Sequence, residues 1–258
     1  MNQQTSDRLE AILDNDYRFQ FGEYISKGFN IFGRNAGMFI GFLIVSSMIT
    51  TIVSIIPLLG LIILLLISGA LSVGNYIVAD KTDRNEETQF GNFFDGFKHW
   101  VPLMLNILLQ AAIYVAIFLP LIFYIATTIG LSSITQGERP DFSGIGGLLG
   151  LVVMAVFCLL IYVAYCFIYS PFFIVFDKMD AWEAMQMSRK FVGKHFFTHF
   201  LFFLVWGIIL FISALPLLLG LVVTIPAMSC SLYAAWADIT DYRIEKTEDD
   251  ELMRHLID

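Results

Sequence analysis

The sequence predicts an all-α, polytopic membrane protein with six transmembrane helices, arranged as three hairpin repeats with cytoplasmic amphipathic elbow helices. The first observation is composition: 57% of the 258 residues are apolar and 15% are charged, against roughly 45–50% and about 25% in soluble domains. The second is that the apolar residues occur in blocks of about twenty without Asp, Glu, Lys or Arg, which is typical of membrane spans. The third is a unit that recurs three times along the chain.

The composition also excludes several classes of protein. A soluble enzyme with one aqueous core would carry more charge than this chain does. An outer-membrane barrel would alternate apolar and polar residues over strands of about ten residues. The net charge of −8 argues against nucleic acid as a partner.

Six charge-free runs are the predicted spans. Each is long enough to cross a hydrocarbon core of about 30 Å at about 1.5 Å per residue. They cover residues 36–56, 58–79, 101–125, 148–172, 196–215 and 218–237, with approximate ends. Residues 1–35 are polar and contain no apolar stretch with a cleavage site, so no signal peptide is expected there.

The Lys and Arg residues predict the orientation of these spans. Fourteen of the fifteen fall in the N-terminal segment, after the second span, after the fourth span or in the tail, and Arg139 alone falls elsewhere. Since positive charge accumulates on the cytoplasmic side, both termini are predicted to be cytoplasmic. Size and topology suit the cytoplasmic (inner) membrane of a bacterium.

A threefold repeat divides the chain into units at about 17–83, 90–180 and 181–241. Each unit is predicted to hold a cytoplasmic helix, a span outward, a tip with Pro and Gly, a span back and an Asp-x-x-Asp exit. The Pro is expected to end one helix, and the Gly to permit the turn. The tips carry Pro57 with Gly60, Pro120 with Gly150, and Pro216 with Gly220.

One membrane domain, residues 36–238, is therefore predicted to follow a cytoplasmic N-terminal segment with an amphipathic helix, residues 1–35. An acidic cytoplasmic tail, residues 239–258, is predicted to follow it. The middle tip contains an insertion at about 126–147 that is rich in Gly and Ser and is predicted to be a loop. As the one substantial outer segment it is the best place for a periplasmic contact, and ordinary tolerance of loops to insertion explains it equally well.

The three predicted elbow helices are rich in aromatic residues at helical spacing. Helices of this kind lie in the headgroup layer, where they would set the angle at which the next span crosses the membrane. The alternative is a surface that binds a partner protein or senses lipid. The candidate residues for such a cytoplasmic interaction face are Phe29, Phe32, Phe97, Trp100, Trp182 and Met185.

Ionisable side chains inside a membrane usually mark function, because burying charge is expensive. The interiors of the predicted spans contain none, which argues against transport through a buried carboxylate, an intramembrane aspartyl protease and a Ser-His dyad. His195 and His199 are four residues apart, a spacing that can bind a metal, but no third ligand is evident nearby. No catalytic residue, metal site or cofactor is therefore predicted.

The acidic exits and the polar span residues each leave two interpretations. Carboxylates end a span where it meets water, whereas three converging exits would offer oxygen ligands to a cation. Polar side chains inside spans mostly bond between helices, whereas the same residue types would also line a polar cavity that holds a lipid headgroup. The residues of that cavity would be Asn75, Asn106, Gln110, Tyr114, Tyr162 and Tyr165.

The segments Pro171–Lys178 and Ala181–Phe196 carry a motif. Its matching positions are Glu183, Ala184, Ser188, Arg189, Gly193, Phe196 and Phe197. The motif resembles the integral-membrane domain that precedes the catalytic domain in some bacterial glycerophosphodiester phosphodiesterases, and related stand-alone membrane proteins of unknown function. The hairpin layout over most of the chain is also similar. Since the sequence ends soon after its last span, the resemblance implies the membrane module without the hydrolase, and no catalytic residue carries over.

From the sequence we expect a non-enzymatic, multi-pass inner-membrane protein that organises a partner protein or local lipid. Its partners would be membrane lipids and another membrane or cytoplasmic protein. The alternative is a carrier or chaperone for a lipid or other apolar small molecule, which would use the weakly polar cavity. A membrane enzyme ranks third, because it would need convergent His and Asp groups at the cytoplasmic face.

Overall fold

The computed structural model describes residues 3–15, 17–136 and 146–242 of the chain. All regular secondary structure in these residues is helical. A 3₁₀ helix, Phe90–His99, lies between α4 and α5. The α-helices are α1 (Gln3–Asn15), α2 (Phe21–Arg34), α3 (Ala36–Ser54), α4 (Leu59–Asp83), α5 (Trp100–Gln136), α6 (Gly146–Cys166), α7 (Ser170–Val175), α8 (Ala181–Lys194), α9 (Phe196–Ala214) and α10 (Leu221–Ile239).

Six helical segments of the described residues are long and apolar enough to span a membrane, so the chain is a multi-pass membrane protein. They correspond to α3, to α4, to α5 with the 3₁₀ helix, to α6 with α7, to α9 and to α10. Large apolar side chains such as Ile52 and Phe211 are exposed on them, as expected of helices that face lipid rather than water. The predicted all-α fold with six spans is confirmed.

Helix α5 is longer than its predicted span. It runs for 37 residues, from Trp100 to Gln136, which is about 55 Å at about 1.5 Å per residue. The loop predicted at 126–147 is therefore wrong up to Gln136 and again at 146–147, which begin α6, and residues 137–145 lie outside the described part of the chain. Within the extension, the hydroxyl of Thr127 donates to a carbonyl oxygen one turn earlier at 3.0 Å. Polar side chains of this type can thus be satisfied by the helix that contains them.

The first and third hairpin tips share a turn geometry that differs from the prediction. The backbone is left-handed at Leu58, with φ 59°, and at Leu217 and Leu218, so the expected role of glycine in making the turn is wrong. Gly60 permits a close approach instead, because a Cβ there would lie 2.1 Å from the carbonyl oxygen of Val53. The tip glycine therefore lets the returning helix pack against the outgoing one.

The middle hairpin differs from the other two. Pro120, predicted to open its tip, lies inside α5, where a proline removes one hydrogen bond of the helix. Its return helix is also interrupted, because α6 ends at Cys166 and α7 begins at Ser170. Pro171 occupies the first turn of α7, a position at which proline is well tolerated.

Three helices lie at the end of the bundle opposite the tips, and we call α2, the 3₁₀ helix and α8 the elbow layer. Helix α2 packs along α10, the 3₁₀ helix along α4, and α8 against α7 and α6. Each elbow helix therefore contacts the return helix of another hairpin: the first contacts the third, the second the first, and the third the second. The hairpins contact one another in a cyclic order.

Small residues bring the elbow layer close to these return helices. A Cβ on Gly28 would lie 1.8 Å from the hydroxyl oxygen of Ser231, and one on Gly96 would lie 2.2 Å from a backbone oxygen of α4. In the third contact, Ser188 Oγ donates to the carbonyl oxygen of Cys166 at 2.7 Å. Larger side chains at the two glycines would push the helices apart.

The core lies in and beneath the elbow layer. Trp236 of α10 is fully buried and stacks on Phe172 and Phe176, with ring centroids 5.4 and 5.0 Å away. In α10, 67% of the most apolar stretch is buried, against 0% in the segment that contains α5. Helix α1, which the sequence did not predict, packs on α8 with Leu9 buried. The spans are thus held together mainly at one end.

Candidate functional site

A crevice separates α6 from α9. Elsewhere in the described part of the chain, each return helix packs along the outward helix of the next hairpin, as α4 does along α5 and α10 along α3. Helices α6 and α9 do not pack along each other in this way. The space between them has a volume of about 630 Å³ and is walled by four residues of α6 and seven of α9.

Aromatic rings close one end of the crevice. The ring of Tyr165 lies edge-on to Phe196 and Phe203, with centroids 5.4 and 5.1 Å away. Its hydroxyl donates to the carbonyl oxygen of Phe196 at 3.2 Å. Tyr162 adds a further ring, 5.8 Å from that of Phe196. Since tyrosine has an apolar body and a polar tip, this end, next to the elbow layer, is the polar end of the crevice.

The rest of the crevice is apolar and open. It follows α9 from Phe196 to Phe211, a rise of about 22 Å at about 1.5 Å per residue. Gly207 leaves room along this path, because a Cβ there would meet nothing within 4 Å. Cys158 lies exposed on the facing wall. The crevice can therefore hold a long apolar chain that enters from the side.

Two of the six predicted cavity residues, Tyr162 and Tyr165, line this crevice. Asn106 and Gln110 lie elsewhere, in a network that joins α5 to α7. Ser170 Oγ donates to Asn106 Oδ1 at 3.1 Å, and Gln110 Nε2 donates to the same oxygen at 3.2 Å. Their hydrogen bonds are made between and along helices, which is the commoner use of such residues in membranes.

The remaining two predicted cavity residues belong to neither group. The Oδ1 atom of Asn75, on α4, is buried with no hydrogen-bond partner among the described residues. Tyr114 is half-buried on α5 and is not part of the crevice wall. The structure therefore does not bring the six residues into one cavity.

The predicted cytoplasmic interaction face is also divided. Phe32 and Met185 are buried in the core, and Phe32 lies against Phe39 with ring centroids 6.0 Å apart. Phe29 stacks on Trp206 at 5.7 Å and keeps part of its surface exposed. The exposed members of the predicted face are Phe29, Phe97, Trp100 and Trp182.

His199 forms a buried polar site that the sequence did not place. Its ring is fully buried between two tyrosine hydroxyls, Tyr17 at 3.0 Å from Nε2 and Tyr169 at 3.3 Å from Nδ1. The other member of the predicted pair, His195, contacts the Tyr17 ring. No group of three or more metal-binding side chains occurs among the described residues. The spacing of the histidines is visible in the sequence, but nothing near it points to tyrosines 30 and 182 residues away.

Two of the acidic exits are held by protein side chains. Asp80 accepts from the Tyr233 hydroxyl at 2.9 Å and from the Arg84 guanidinium at 2.8 Å. Asp238 accepts from the Tyr24 hydroxyl at 2.5 Å. Burial and this hydrogen bond raise the pKa of Tyr24, so the hydroxyl stays protonated and donates.

The third exit is less well satisfied. Asp177 accepts from Arg8 at 3.2 Å through Oδ1, and its Oδ2 is buried with no hydrogen-bond partner in the described part of the chain. Burial raises the pKa of Asp177 to about 6, and the nearby Arg8 guanidinium opposes this shift. The carboxylate is therefore the most weakly held of the three that begin an exit.

No protein-family model, no curated protein and no solved structure matches this chain. The resemblance to the membrane domain of bacterial glycerophosphodiester phosphodiesterases therefore stays a prediction. The crevice between α6 and α9 is the feature of the molecule that best fits a ligand.

Proposed function

We propose that this chain is a non-enzymatic membrane protein that holds a lipid chain in the crevice between α6 and α9 and so organises the lipid around it. The observation that carries the proposal is the crevice itself, an apolar space of about 630 Å³ between two membrane-spanning helices. Apolar cavities offer water too few hydrogen-bond partners. A space that opens sideways between two spans is therefore filled from the lipid phase.

The crevice is long enough to hold a lipid chain of one leaflet. Half of a hydrocarbon core of about 30 Å is about 15 Å, and the crevice follows α9 for about 22 Å from its polar end. A chain that enters beside Tyr162 would lie along Phe200 and continue toward Phe211. It would restore the dispersion contacts that an empty crevice lacks.

A carrier with a polar internal cavity is less well supported. Asn106 and Gln110, which such a carrier would use, bond to each other and to Ser170. Asn106 is only 2% exposed, so its amide has little surface to offer a ligand. Polar groups satisfied between helices stabilise a bundle, and we assign these residues that role.

We further propose that the elbow layer lies on the cytoplasmic side of a bacterial inner membrane. Support comes from the charge: the elbow layer carries Lys27, Arg34, Lys98, Arg189 and Lys190, and positive residues accumulate on the cytoplasmic side. The tips of the first and third hairpins carry no charged residue. The polar end of the crevice would then face the cytoplasmic leaflet.

The proposal is tested by counting the lipids that stay bound to the purified chain in native mass spectrometry. Gly207→Leu places a side chain in the crevice at a position where a Cβ meets nothing within 4 Å, and Gly37→Leu is its control at an exposed position of α3 where a Cβ also meets nothing. We expect the wild type and Gly37→Leu to retain one lipid per chain after bulk lipid is removed, and Gly207→Leu to retain none. A wild type without bound lipid, or equal retention by all three proteins, would overturn the proposal.

A further inference from the structure

We infer that the lipid in the crevice carries an anionic, phosphate-bearing headgroup, which Arg189 and Tyr162 bind at the polar end. This inference rests on the proposed function, because it assigns the headgroup of the lipid whose chain occupies the crevice. It uses a cation on α8, a helix that contributes nothing to the crevice wall itself.

The packing of α8 on α6 determines where Arg189 lies. Ser188 Oγ donates to the carbonyl oxygen of Cys166 at 2.7 Å and accepts from the backbone N–H of Tyr169 at 3.1 Å. These two bonds fix this turn of α8 against the end of α6. Arg189 is the next residue, on the turn of α8 that packs against Cys166, and Cys166 lies one helical turn after Tyr162 of the crevice wall. This turn of α8 therefore brings Arg189 close to the polar end of the crevice.

Arg189 is available to a ligand. Its side chain is exposed, and its one hydrogen-bond partner among the described residues is the amide oxygen of Gln186, at 2.8 Å. Its neighbour Lys190, in contrast, forms an ion pair with Glu10 at 3.0 Å. The planar guanidinium of Arg189 thus keeps N–H donors free, in the geometry that matches two oxygens of a phosphate.

Tyr162 supplies the second donor. Its side chain is 48% exposed at the rim of the crevice. Its hydroxyl interacts with the Cys166 thiol, which is only a weak acceptor, so the hydroxyl can turn toward a headgroup. A zwitterionic headgroup also contains a phosphate, but its own ammonium group competes with the guanidinium for it. An anionic headgroup has no such competitor, and a net negative charge is therefore preferred.

The apolar crevice identifies the source of the phosphate. It continues directly from the ring of Tyr162 along α9, so a phosphate held at its polar end has an adjoining site for an acyl chain. Free inorganic phosphate would use the donors alone and would gain nothing from the crevice. A membrane lipid engages both parts, which commits this surface to a lipid.

The test is a lipid competition followed by native mass spectrometry of the full chain. The protein is reconstituted with equimolar phosphatidylglycerol and phosphatidylcholine that carry the same acyl chains, and the retained lipid is identified. We expect the wild type to retain mainly phosphatidylglycerol. Arg189→Gln should lower the ratio of bound phosphatidylglycerol to phosphatidylcholine about fivefold, the effect of one cation near a membrane surface. Arg189→Lys should keep most of the preference.

The controls separate this inference from the proposed function. Lys98→Gln removes a cation of the elbow layer that lies on the 3₁₀ helix, against α4, and should leave the ratio unchanged. A wild-type ratio near one, or an unchanged ratio in Arg189→Gln, would overturn the headgroup assignment while lipid binding itself persists. Failure of the crevice proposal gives a different result, because Gly207→Leu would then retain as much lipid as the wild type. Should Arg189→Gln fail to fold, Arg189→Ala at the same exposed position gives the same comparison.

Discussion

The return helices of the first two hairpins occupy equivalent places in the bundle but are packed differently. Helix α4 is continuous and packs along α5, and Gly69 lies where a Cβ would meet Ile107 at 2.9 Å and Leu103 at 3.2 Å. Helix α6 stops at Cys166, continues as α7 and leaves a crevice toward α9. In that crevice, Gly207 faces open space.

The acidic exits of the two helices also differ: the exit of α4 is more fully hydrogen-bonded than the exit that follows α7. Both carboxylate oxygens of Asp80 are bound by side chains, whereas one oxygen of Asp177 has no hydrogen-bond partner among the described residues. A tightly packed junction and a loosened one are thus built from the same arrangement of helices. The tight junction stabilises the bundle, and the loosened one leaves room for a ligand.

The largest expected effect concerns the two carboxylates. Asp80→Asn removes the buried charge that the Tyr233 hydroxyl and the Arg84 guanidinium both bind, and we expect a loss of about 3 kcal/mol in the free energy of unfolding, as when one partner of a buried pair is removed. Asp177→Asn should cost less than about 1 kcal/mol at pH 7, because it also removes a poorly satisfied charge. Unfolding in detergent micelles measures both. Equal losses in the two variants would show that the two carboxylates are held equally well.

A second prediction concerns the two glycines. Gly69→Leu forces a side chain into the contact with Leu103 and Ile107, and we expect a loss of about 2 kcal/mol, in the range seen for overpacked cores. Gly207→Leu should leave stability unchanged or raise it by up to about 1 kcal/mol, because leucine favours helix more than glycine does. Thermal unfolding of the two variants checks this. A destabilised Gly207→Leu would mean that the crevice is closed in the folded protein.

A third prediction is a pH dependence that arises from Asp177. Its pKa is about 6 in the folded chain, against an ordinary value of 3.8. Because the folded chain binds this proton more tightly than the unfolded chain, stability is lost as the pH rises through 6 and is regained as the pH falls toward 4. We expect a gain of about 1 kcal/mol between pH 7 and pH 5. The same slope in Asp177→Asn would assign the effect to other groups.

A fourth prediction uses Cys158, which is exposed in the crevice while Cys166 and Cys230 are buried. An uncharged, apolar maleimide should modify Cys158 first in delipidated protein. Added phospholipid at about ten times its Kd should slow this reaction about tenfold, because the occupied crevice covers the thiol. Peptide mapping by mass spectrometry gives the rates, and a rate indifferent to lipid would count against an occupant at this wall.

The fold class could be predicted from the sequence because blocks of about twenty uncharged residues have no stable alternative to membrane-spanning helices. The span predicted at 196–215 is α9, Phe196–Ala214. The prediction failed at Pro120 and in the Ser- and Gly-containing stretch up to Gln136, which are helical. At Pro120, which lies within the span, rules learned from soluble proteins end the helix, but a backbone in lipid must satisfy its own hydrogen bonds.

The candidate site could be predicted only in part. Tyr162 and Tyr165 stand out as hydroxyls inside an apolar run, although the sequence assigned them to a different cavity. The apolar wall could not be predicted, because residues such as Phe200 and Phe211 have the same pattern whether they face a crevice or open lipid. The crevice exists because α6 and α9 contact each other at Tyr165 but do not pack along each other, and no local sequence pattern records such a gap between two helices.

Photocrosslinking in bilayers shows directly whether a lipid chain lies between α6 and α9. A phospholipid with a diazirine on its acyl chain is reconstituted with the protein, and the labelled peptides are mapped. We predict labelling around Cys158 and Phe203 well above that around Met48, an exposed residue of α3, and loss of this excess in Gly207→Leu. Labelling spread evenly over α3, α6 and α9, and unchanged in Gly207→Leu, would contradict the claim.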